Sequence, residues 1–331
     1  MSTRAKSEQP IPAPARRHTV VMGRQDFFSV VLRLIGVELY KLRCRTMSKA
    51  LSTIAILSLI LVFFLIAVST NTSDTASSLA PGEQVQTAAE KQAELAMISA
   101  PLRLPNSLIT SVEVINYAGL VLIIILAGTI VGGEYAVGTI RLMFTRGPTR
   151  TQFLLSKVGA IFVCTVLGTF ALALIGIVVG AFFNIVMKGI STNFSFFTGT
   201  WVLHASLYLL AAALGLFLYG MIALCLSLLG KTTVAGVAGA LMWWVLEGLL
   251  GQVFYLLGTL NRGILGDFLK AVRDYLIGNN VQALLQNQTH YLVGDSASQL
   301  SDLHTLFVLV FYIILLVGLA WWVNERRDVT N

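Results

Sequence analysis

Residues 120–126 read LVLIIIL, an uninterrupted aliphatic block inside the longer apolar run 112–131. A run of about 20 apolar residues is the length that a helix needs to cross the hydrocarbon core of a bilayer. A helix is favoured there because it satisfies its own backbone hydrogen bonds in lipid. Comparable runs occupy residues 50–68, 158–187, 204–229, 233–257 and 306–323. We therefore predict an all-α integral membrane protein with six transmembrane helices.

The composition supports this prediction. Of the 331 residues, 56% are hydrophobic and 12% are charged, and the mean hydropathy is +0.79. An average soluble domain has about 25% charged residues, so this chain has too few to cover a soluble surface. Residues 25–331 are predicted to form a single transmembrane domain. Residues 1–24, with their prolines and arginines, are predicted to be a disordered cytoplasmic tail.

The basic residues predict the orientation of the chain. Seventeen of the 23 lysines and arginines fall on the side of the membrane that holds the N-terminus, and six fall on the other side. Because short loops rich in lysine and arginine stay in the cytoplasm, both termini are predicted to be cytoplasmic. The net charge of +7 is then a topology signal and an attraction to anionic membrane lipid, and no nucleic-acid partner is expected.

Residues 26–45, just before the first run, predict an amphipathic helix. Apolar residues recur at helical spacing, and charged residues fall on the opposite side of the helix. The apolar members are Phe28, Val31, Leu32, Ile35, Leu39 and Leu42, and the charged members are Arg33, Glu38, Lys41 and Arg45. Such a helix lies in the membrane interface. The alternative is a soluble helix that packs on a partner.

Two connections carry further information. In the inner connection 132–152, Gly132 and Gly133 are predicted to end the second helix, and residues 139–144 can form a short amphipathic helix. That helix either presents a surface to a cytosolic partner or is a solvated loop anchored to lipid headgroups by Arg146 and Arg150. The outer loop 259–302 mixes apolar turns with amides. It either lies on the outer surface or turns back into the membrane.

The inner connection and the amphipathic helix carry a family resemblance. The segment Glu134-Tyr135-x-x-Gly138-Thr139-Ile140-Arg141, followed by Arg146-x-Pro148-x-Arg150 and Lys157, resembles the inner loop of ABC-2 type transporter permeases. Residues 37–43, VELYKLR, are similar to the segment ahead of that family's first helix. The predicted six-span topology with both termini inside also matches.

The resemblance implies a bacterial plasma-membrane protein that pairs with a second permease copy and docks a separate cytosolic ABC ATPase subunit. Export driven by that ATPase would be the function. Residues 26–45 would act as the elbow helix and residues 133–146 as the coupling helix. The residues near the ATPase would be Glu134, Tyr135, Gly138, Thr139 and Arg141.

The sequence predicts no nucleotide-binding, metal-binding or cofactor-binding site in the chain. Gly230-Lys231-Thr232-Thr233 resembles the end of a phosphate-binding loop, but the glycine required five residues earlier is Cys225. The fragment is therefore predicted to be a tight turn between the fourth and fifth helices. The three cysteines have no neighbouring Cys or His at metal-ligand spacing, so neither a metal nor another cofactor is expected.

Glu247 is a carboxylate inside the fifth apolar run. A charge at this depth is costly and marks a functional candidate, here in a transport pathway or a subunit contact. The alternative is a structural carboxyl satisfied by a neighbouring backbone group or by Gln252. Two other functions remain open as alternatives, an ATP-independent carrier and an intramembrane enzyme. The enzyme is the weaker of the two because no second carboxylate is predicted at the depth of Glu247.

Overall fold

The computed structural model describes residues 26–79, 97–137, 148–186, 195–260 and 263–326, and within 73–79 only the backbone. All regular structure in these ranges is helical. The helices are α1 (Phe27–Cys44), α2 (Thr46–Leu79), α3 (Asn106–Val114), α4 (Leu120–Val137), α5 (Arg150–Val186), α6 (Gly199–Gly230), α7 (Thr233–Leu260), α8 (Ile264–Asp274), α9 (Ile277–Val293) and α10 (Asp302–Arg326). A π-helical turn, Ile115–Gly119, joins α3 to α4.

Six segments are long and apolar enough to cross a membrane. They lie in α2, in α3 and α4 taken together, and in α5, α6, α7 and α10. This finding confirms the prediction of a helical, multi-pass membrane protein with six candidate spans.

The helices extend beyond the apolar runs that predicted them. α5 begins at Arg150, two turns before its apolar run, and its 37 residues give a length of about 55 Å at 1.5 Å per residue. The hydrocarbon core is only about 30 Å thick. α4 continues through Gly132 and Gly133 to Val137, so the prediction that these glycines end the helix was wrong. Glycine costs a helix only about 1 kcal/mol, and the flanking aliphatic residues outweigh that cost.

α6 is the centre of the bundle and the most buried of the six spans. It packs against α4, α5, α7, α9 and α10. Its middle carries many small residues, which allow neighbouring helices to come close. These residues are Ala211, Ala212, Ala213, Gly215, Gly220 and Ala223. The main apolar core is built around α4 and α6.

Two glycines mark where α7 comes closest to its neighbours. A Cβ built on Gly132 would lie 2.5 Å from the backbone nitrogen of Thr233, at the start of α7. A Cβ built on Gly236 would lie 2.7 Å from the carbonyl oxygen of Ala223 and would overlap the hydroxyl of Ser227. The two glycines therefore allow α7 to pack closely against α4 and α6.

We call the end of the bundle that carries α1 the proximal end and the opposite end the distal end. At the proximal end α1 packs against α5. Val31 and Leu42 are buried, whereas Phe28, Leu32 and Tyr40 are exposed. Glu38 lies on the buried side with Val31 and Leu42, although the sequence pattern assigned it to the polar face.

The distal segment 263–293 turns back into the bundle. α8 runs antiparallel along the second half of α7, with Lys270 near Gly258 and Leu276 near Gly251. α9 then returns toward the distal end, packed against α6 and α10. Of the two arrangements left open for the outer loop, the structure has the one that re-enters the bundle. We call α8 and α9 together the hairpin and residues 274–278 its tip.

Candidate functional site

Four charged side chains meet at the proximal end in what we call the ion cluster. Lys157 Nζ on α5 lies 2.9 Å from Glu38 Oε2 on α1 and 2.5 Å from Glu134 Oε1 on α4. Lys41 Nζ, also on α1, lies 2.8 Å from Glu38 Oε1 and 3.3 Å from Glu134 Oε1. Two carboxylates and two ammonium groups are thus interlinked, and the cluster as a whole is neutral.

The position of each charged side chain in the ion cluster follows from the helix that carries it. Glu38 and Lys41 are three residues apart, so they lie on the same side of α1. The continuation of α4 past Gly132 and Gly133 brings Glu134 onto the helix, where the side chain reaches α1 and α5. Lys157 is fully buried two turns into α5, and its ammonium group lies 5.0 Å from the centre of the Phe153 ring.

Burial and ion pairing act in opposite directions on the cluster. Burial alone would raise the pKa of Glu38, but the charges and hydrogen bonds of Lys157 and Lys41 outweigh it, and the pKa is lowered. Burial alone would lower the pKa of Lys41, but Glu38 and Glu134 outweigh it, and the pKa is raised. Both shifts favour the charged forms, so Glu38 and Lys41 are ionised at neutral pH.

These directions predict how the cluster depends on pH. Glu38 has a lowered pKa, so its stabilisation is present above its unfolded value of about 4.3 and is lost as pH falls through the folded pKa. Lys41 has a raised pKa, so its stabilisation is present below about 10.4 and is lost as pH rises through the folded pKa. We expect the difference in unfolding temperature between wild type and Glu38→Gln to stay constant from about pH 5 to about pH 9.

The measurement is a thermal unfolding series in detergent at fixed ionic strength. The difference should shrink only below about pH 4, where Glu38 of wild type becomes protonated. A difference that already changes between about pH 6 and about pH 8 would show that another group controls the cluster.

A second polar contact holds the start of α5. Arg150 Nη1 donates to the carbonyl oxygens of Asn324 and Glu325 at 3.3 and 3.0 Å, near the end of α10. Asn324 Nδ2 donates back to the Arg150 carbonyl oxygen at 2.9 Å, and Thr151 Oγ1 lies 3.1 Å from Glu325 Oε1. A cation at the C-terminal end of a helix also interacts favourably with the helix dipole.

The two contacts stand on either side of the inner connection. Glu134, three residues before the end of α4, is tied to α1 and α5, and Arg150, the first residue of α5, is tied to α10. We call the end of α4 and the start of α5 the two stems of the connection. Both stems are therefore fixed to other helices of the bundle. The predicted coupling residues Gly138, Thr139 and Arg141 lie outside the described residues, as does most of the predicted helix 133–146.

The other predicted site residues are in the described part of the chain. Glu134 is 5% exposed and belongs to the ion cluster, and Tyr135 packs partly buried against the main core. The roles of Glu38, Lys41 and Lys157 in one cluster were not predicted. The sequence pattern placed Glu38 and Lys41 on the polar face of α1 and Lys157 just ahead of an apolar run, so it carried no signal that joins the three.

Glu247 is buried in the middle of α7, away from the ion cluster. Tyr219 on α6 donates its hydroxyl to Glu247 Oε2 at 2.9 Å, and the backbone N–H of Gly278 on α9 donates to Oε1 at 2.9 Å. The partners are thus a tyrosine and a backbone amide, and Gln252 is not among these contacts. Among the residues that the structure describes, no cluster of three His, Cys, Asp or Glu side chains could hold a metal ion.

The comparisons with known proteins identify a family. The family model described as "Protein of unknown function (DUF2705)" matches residues 99–330, which is more than half of the chain, and the chain therefore belongs to this family. The match includes Glu134, Lys157 and Glu247 and begins after α1. No curated protein matches the chain.

Proposed function

We propose that this member of the DUF2705 family is the transmembrane permease subunit of an ABC exporter of the ABC-2 type. A separate cytosolic ATPase subunit would bind and hydrolyse ATP, and the chain itself would carry out no catalysis. In this proposal the protein lies in the bacterial plasma membrane, its proximal end faces the cytoplasm, and it pairs with a second permease copy.

The observation that carries the proposal is the ion cluster. It joins α1, the proposed elbow helix, to both stems of the inner connection, the proposed coupling loop. A permease that is driven from outside needs a stiff link between the surface that a partner pushes and the helices that must move. Four interlinked charges, three of them buried, supply such a link, because separating a buried charge from the others leaves it uncompensated.

We divide the proposed coupling residues into two groups. Glu134 is buried against Lys41 and Lys157, so we assign it to anchoring the loop. Gly138, Thr139 and Arg141 follow the end of α4 and would make the contact with the ATPase. Tyr135, partly buried on the core, would support the same stem.

The exposed apolar faces fit a protein surrounded by lipid and by a second copy. α7 exposes large apolar side chains along one side, including Val245, Leu249, Val253 and Leu256. Exposed apolar surface of this extent is stable only in contact with hydrocarbon or with another protein. In the proposal, lipid and the second permease copy cover it.

The coupling loop can be tested by charge reversal. We expect Arg141→Glu to abolish co-purification of a vanadate-sensitive ATPase with the affinity-tagged chain from native membranes, because it reverses the charge at the proposed contact. Glu134→Lys should reduce co-purification and also lower stability, since it adds a third cation to the cluster. The measurement is ATP hydrolysis by the captured complex together with the amount of chain in the membrane fraction.

Lys91→Glu is the matched control. It makes the same charge change in the long segment between the first two spans, on the opposite side of the membrane in the proposed topology. This variant should retain the ATPase in full. If Arg141→Glu captures as much ATPase activity as Lys91→Glu, the loop is not the docking surface. If wild type captures none, an ATP-independent carrier becomes the better assignment.

A further inference from the structure

The tip of the hairpin is a turn that packs against the middle of α7, with backbone polar groups bonded to side chains. The Tyr275 carbonyl oxygen accepts from the Tyr312 hydroxyl of α10 at 3.2 Å. The Asp274 carbonyl oxygen accepts from Asn280 Nδ2 at 2.8 Å and lies 3.2 Å from His304 Nε2. A turn can lie at this depth only if its backbone groups find partners.

Glu247 and Tyr219 hold the inner end of the hairpin, and we call these two residues the latch. The Glu247 carboxylate accepts one hydrogen bond from Tyr219 and one from the Gly278 N–H, in the first turn of α9. Glu247 is 5% exposed and Tyr219 is 3% exposed, so water does not compete for these bonds.

The outer ends of the hairpin have a different character. Gly263, just before α8, has a φ of 121°, and Gly294, just after α9, has a φ of 83°. These are the only glycines with positive φ in the described ranges. Glycine adopts both signs of φ at little cost, so both ends of the hairpin can change direction more easily than a helix can.

The contacts of α9 beyond the latch are polar to an unusual degree for a helix inside such a bundle. Asn287 Nδ2 donates to Asp302 Oδ1 at 2.8 Å, and the Gln288 side chain lies 3.1 Å from His204 Nδ1. Water can replace hydrogen-bond partners of this kind, whereas it cannot replace apolar packing. The distal half of α9 can therefore separate from the bundle at lower cost than a wholly apolar helix.

We infer that the hairpin is a hinged plug, which turns about Gly263 and Gly294 and is held closed by the latch. In the closed state α9 packs against α6 and α10, and α8 packs against α7, from the middle of the bundle to the distal end. The latch is inferred from its hydrogen bonds and the hinges from the backbone angles of the two glycines, independently of the proposed function. Only the use of the opened space as a path for a transported molecule rests on the proposed function.

The test measures how often the tip leaves the bundle. Ile277, 2% exposed and next to Gly278, is replaced by cysteine in a chain whose Cys44, Cys164 and Cys225 are changed to serine. Its reaction rate with N-ethylmaleimide in membrane vesicles reports undocking. We expect Glu247→Ala to raise this rate at least about tenfold and Tyr219→Phe to raise it about threefold to tenfold, because each loses latch hydrogen bonds.

Two controls separate undocking from general loosening. Asp26→Ala removes an exposed carboxylate at the proximal end, far from the hairpin, and should leave the rate unchanged. Ala160→Cys, a fully buried probe on α5, should react no faster with Glu247→Ala than without it. If it does react faster, Glu247→Ala has loosened the bundle as a whole. The latch is then tested with Glu247→Gln and Tyr219→Phe, which keep the side-chain volume. A rate within about twofold of wild type in these variants and in Glu247→Ala overturns the latch.

A disulfide tests the direction of the motion. A Cβ on Gly215 of α6 would lie 3.6 Å from the Cβ of Val281 of α9, within the range of a disulfide. Oxidising the pair Gly215→Cys and Val281→Cys should return the labelling rate of the Glu247→Ala chain to the wild-type value. The matched pair Ala127→Cys and Gly220→Cys, with Cβ atoms 3.7 Å apart, joins α4 to α6 and should have no effect.

The outcomes are independent of the proposed function. A hairpin that stays accessible after the Gly215–Val281 disulfide forms does not hinge away from α6, and the plug is then rejected. A failure to capture an ATPase would leave the labelling rates untouched. Conversely, unchanged labelling would reject the plug and leave the coupling loop standing.

Discussion

Lys157→Met is expected to lower the free energy of unfolding by about 3 to 5 kcal/mol, the cost of breaking a buried ion pair from one side. Lys157 is fully buried and contacts both Glu38 and Glu134. Its removal leaves two buried carboxylates with only Lys41 to compensate them. The loss should appear as a lower unfolding temperature in detergent and as a lower amount of protein in the membrane fraction.

The double variant Lys157→Met with Glu134→Gln restores neutrality to the cluster. It should recover at least about half of the lost stability, because the remaining Glu38 and Lys41 form a simple pair. Lys49→Met, at an exposed position near the start of α2, should change stability by less than about 0.5 kcal/mol. If Lys157→Met is as stable as Lys49→Met, the cluster does not stabilise the proximal end.

Gly132→Ala and Gly133→Ala are expected to act in opposite directions, although the residues are adjacent on α4. The new Cβ at residue 132 would lie 2.5 Å from backbone atoms of Thr233, which cannot move without shifting α7. Overpacking of this kind costs about 1 to 3 kcal/mol. A Cβ at residue 133 meets nothing within 4 Å, so alanine there should stabilise the helix by about 0.5 to 1 kcal/mol.

The two alanine variants can be compared by unfolding temperature under identical conditions. Each serves as the control of the other, because the chemical change and the helix are the same. Equal effects at the two positions would mean that α4 and α7 are not in close contact at Gly132. In that case, close packing against α7 would not explain why residue 132 is a glycine.

The six candidate spans could be predicted from sequence because a run of about 20 apolar residues matches the thickness of a bilayer and is rare in soluble domains. Their ends could not, since polar residues such as Arg150 and Glu134 remain helical where partners from other helices bind them. Hydropathy measures how well a segment suits lipid, and it does not register where the backbone stops being helical.

The ion cluster was beyond sequence reasoning for a related reason. On an amphipathic helix a charge is taken to face water, and this placed Glu38 on the polar side of α1. The burial of Glu38 becomes favourable only because Lys157 arrives from α5, a contact between distant parts of the chain. Glu247 was recognised as buried, but its partner on α9 is the backbone N–H of Gly278, which has no side-chain signature.

The length of α5 gives the ion cluster a further consequence. Lys157 stands about 10 Å from Arg150 and about 44 Å from Val186, at 1.5 Å per residue along the helix. If the cluster acts as the fulcrum of a rigid α5, a displacement of about 1 Å at Arg150 becomes one of about 4 Å at the distal end. The position of Lys157 along α5 would then determine how much larger the movement at the distal end is than the movement at Arg150 that causes it.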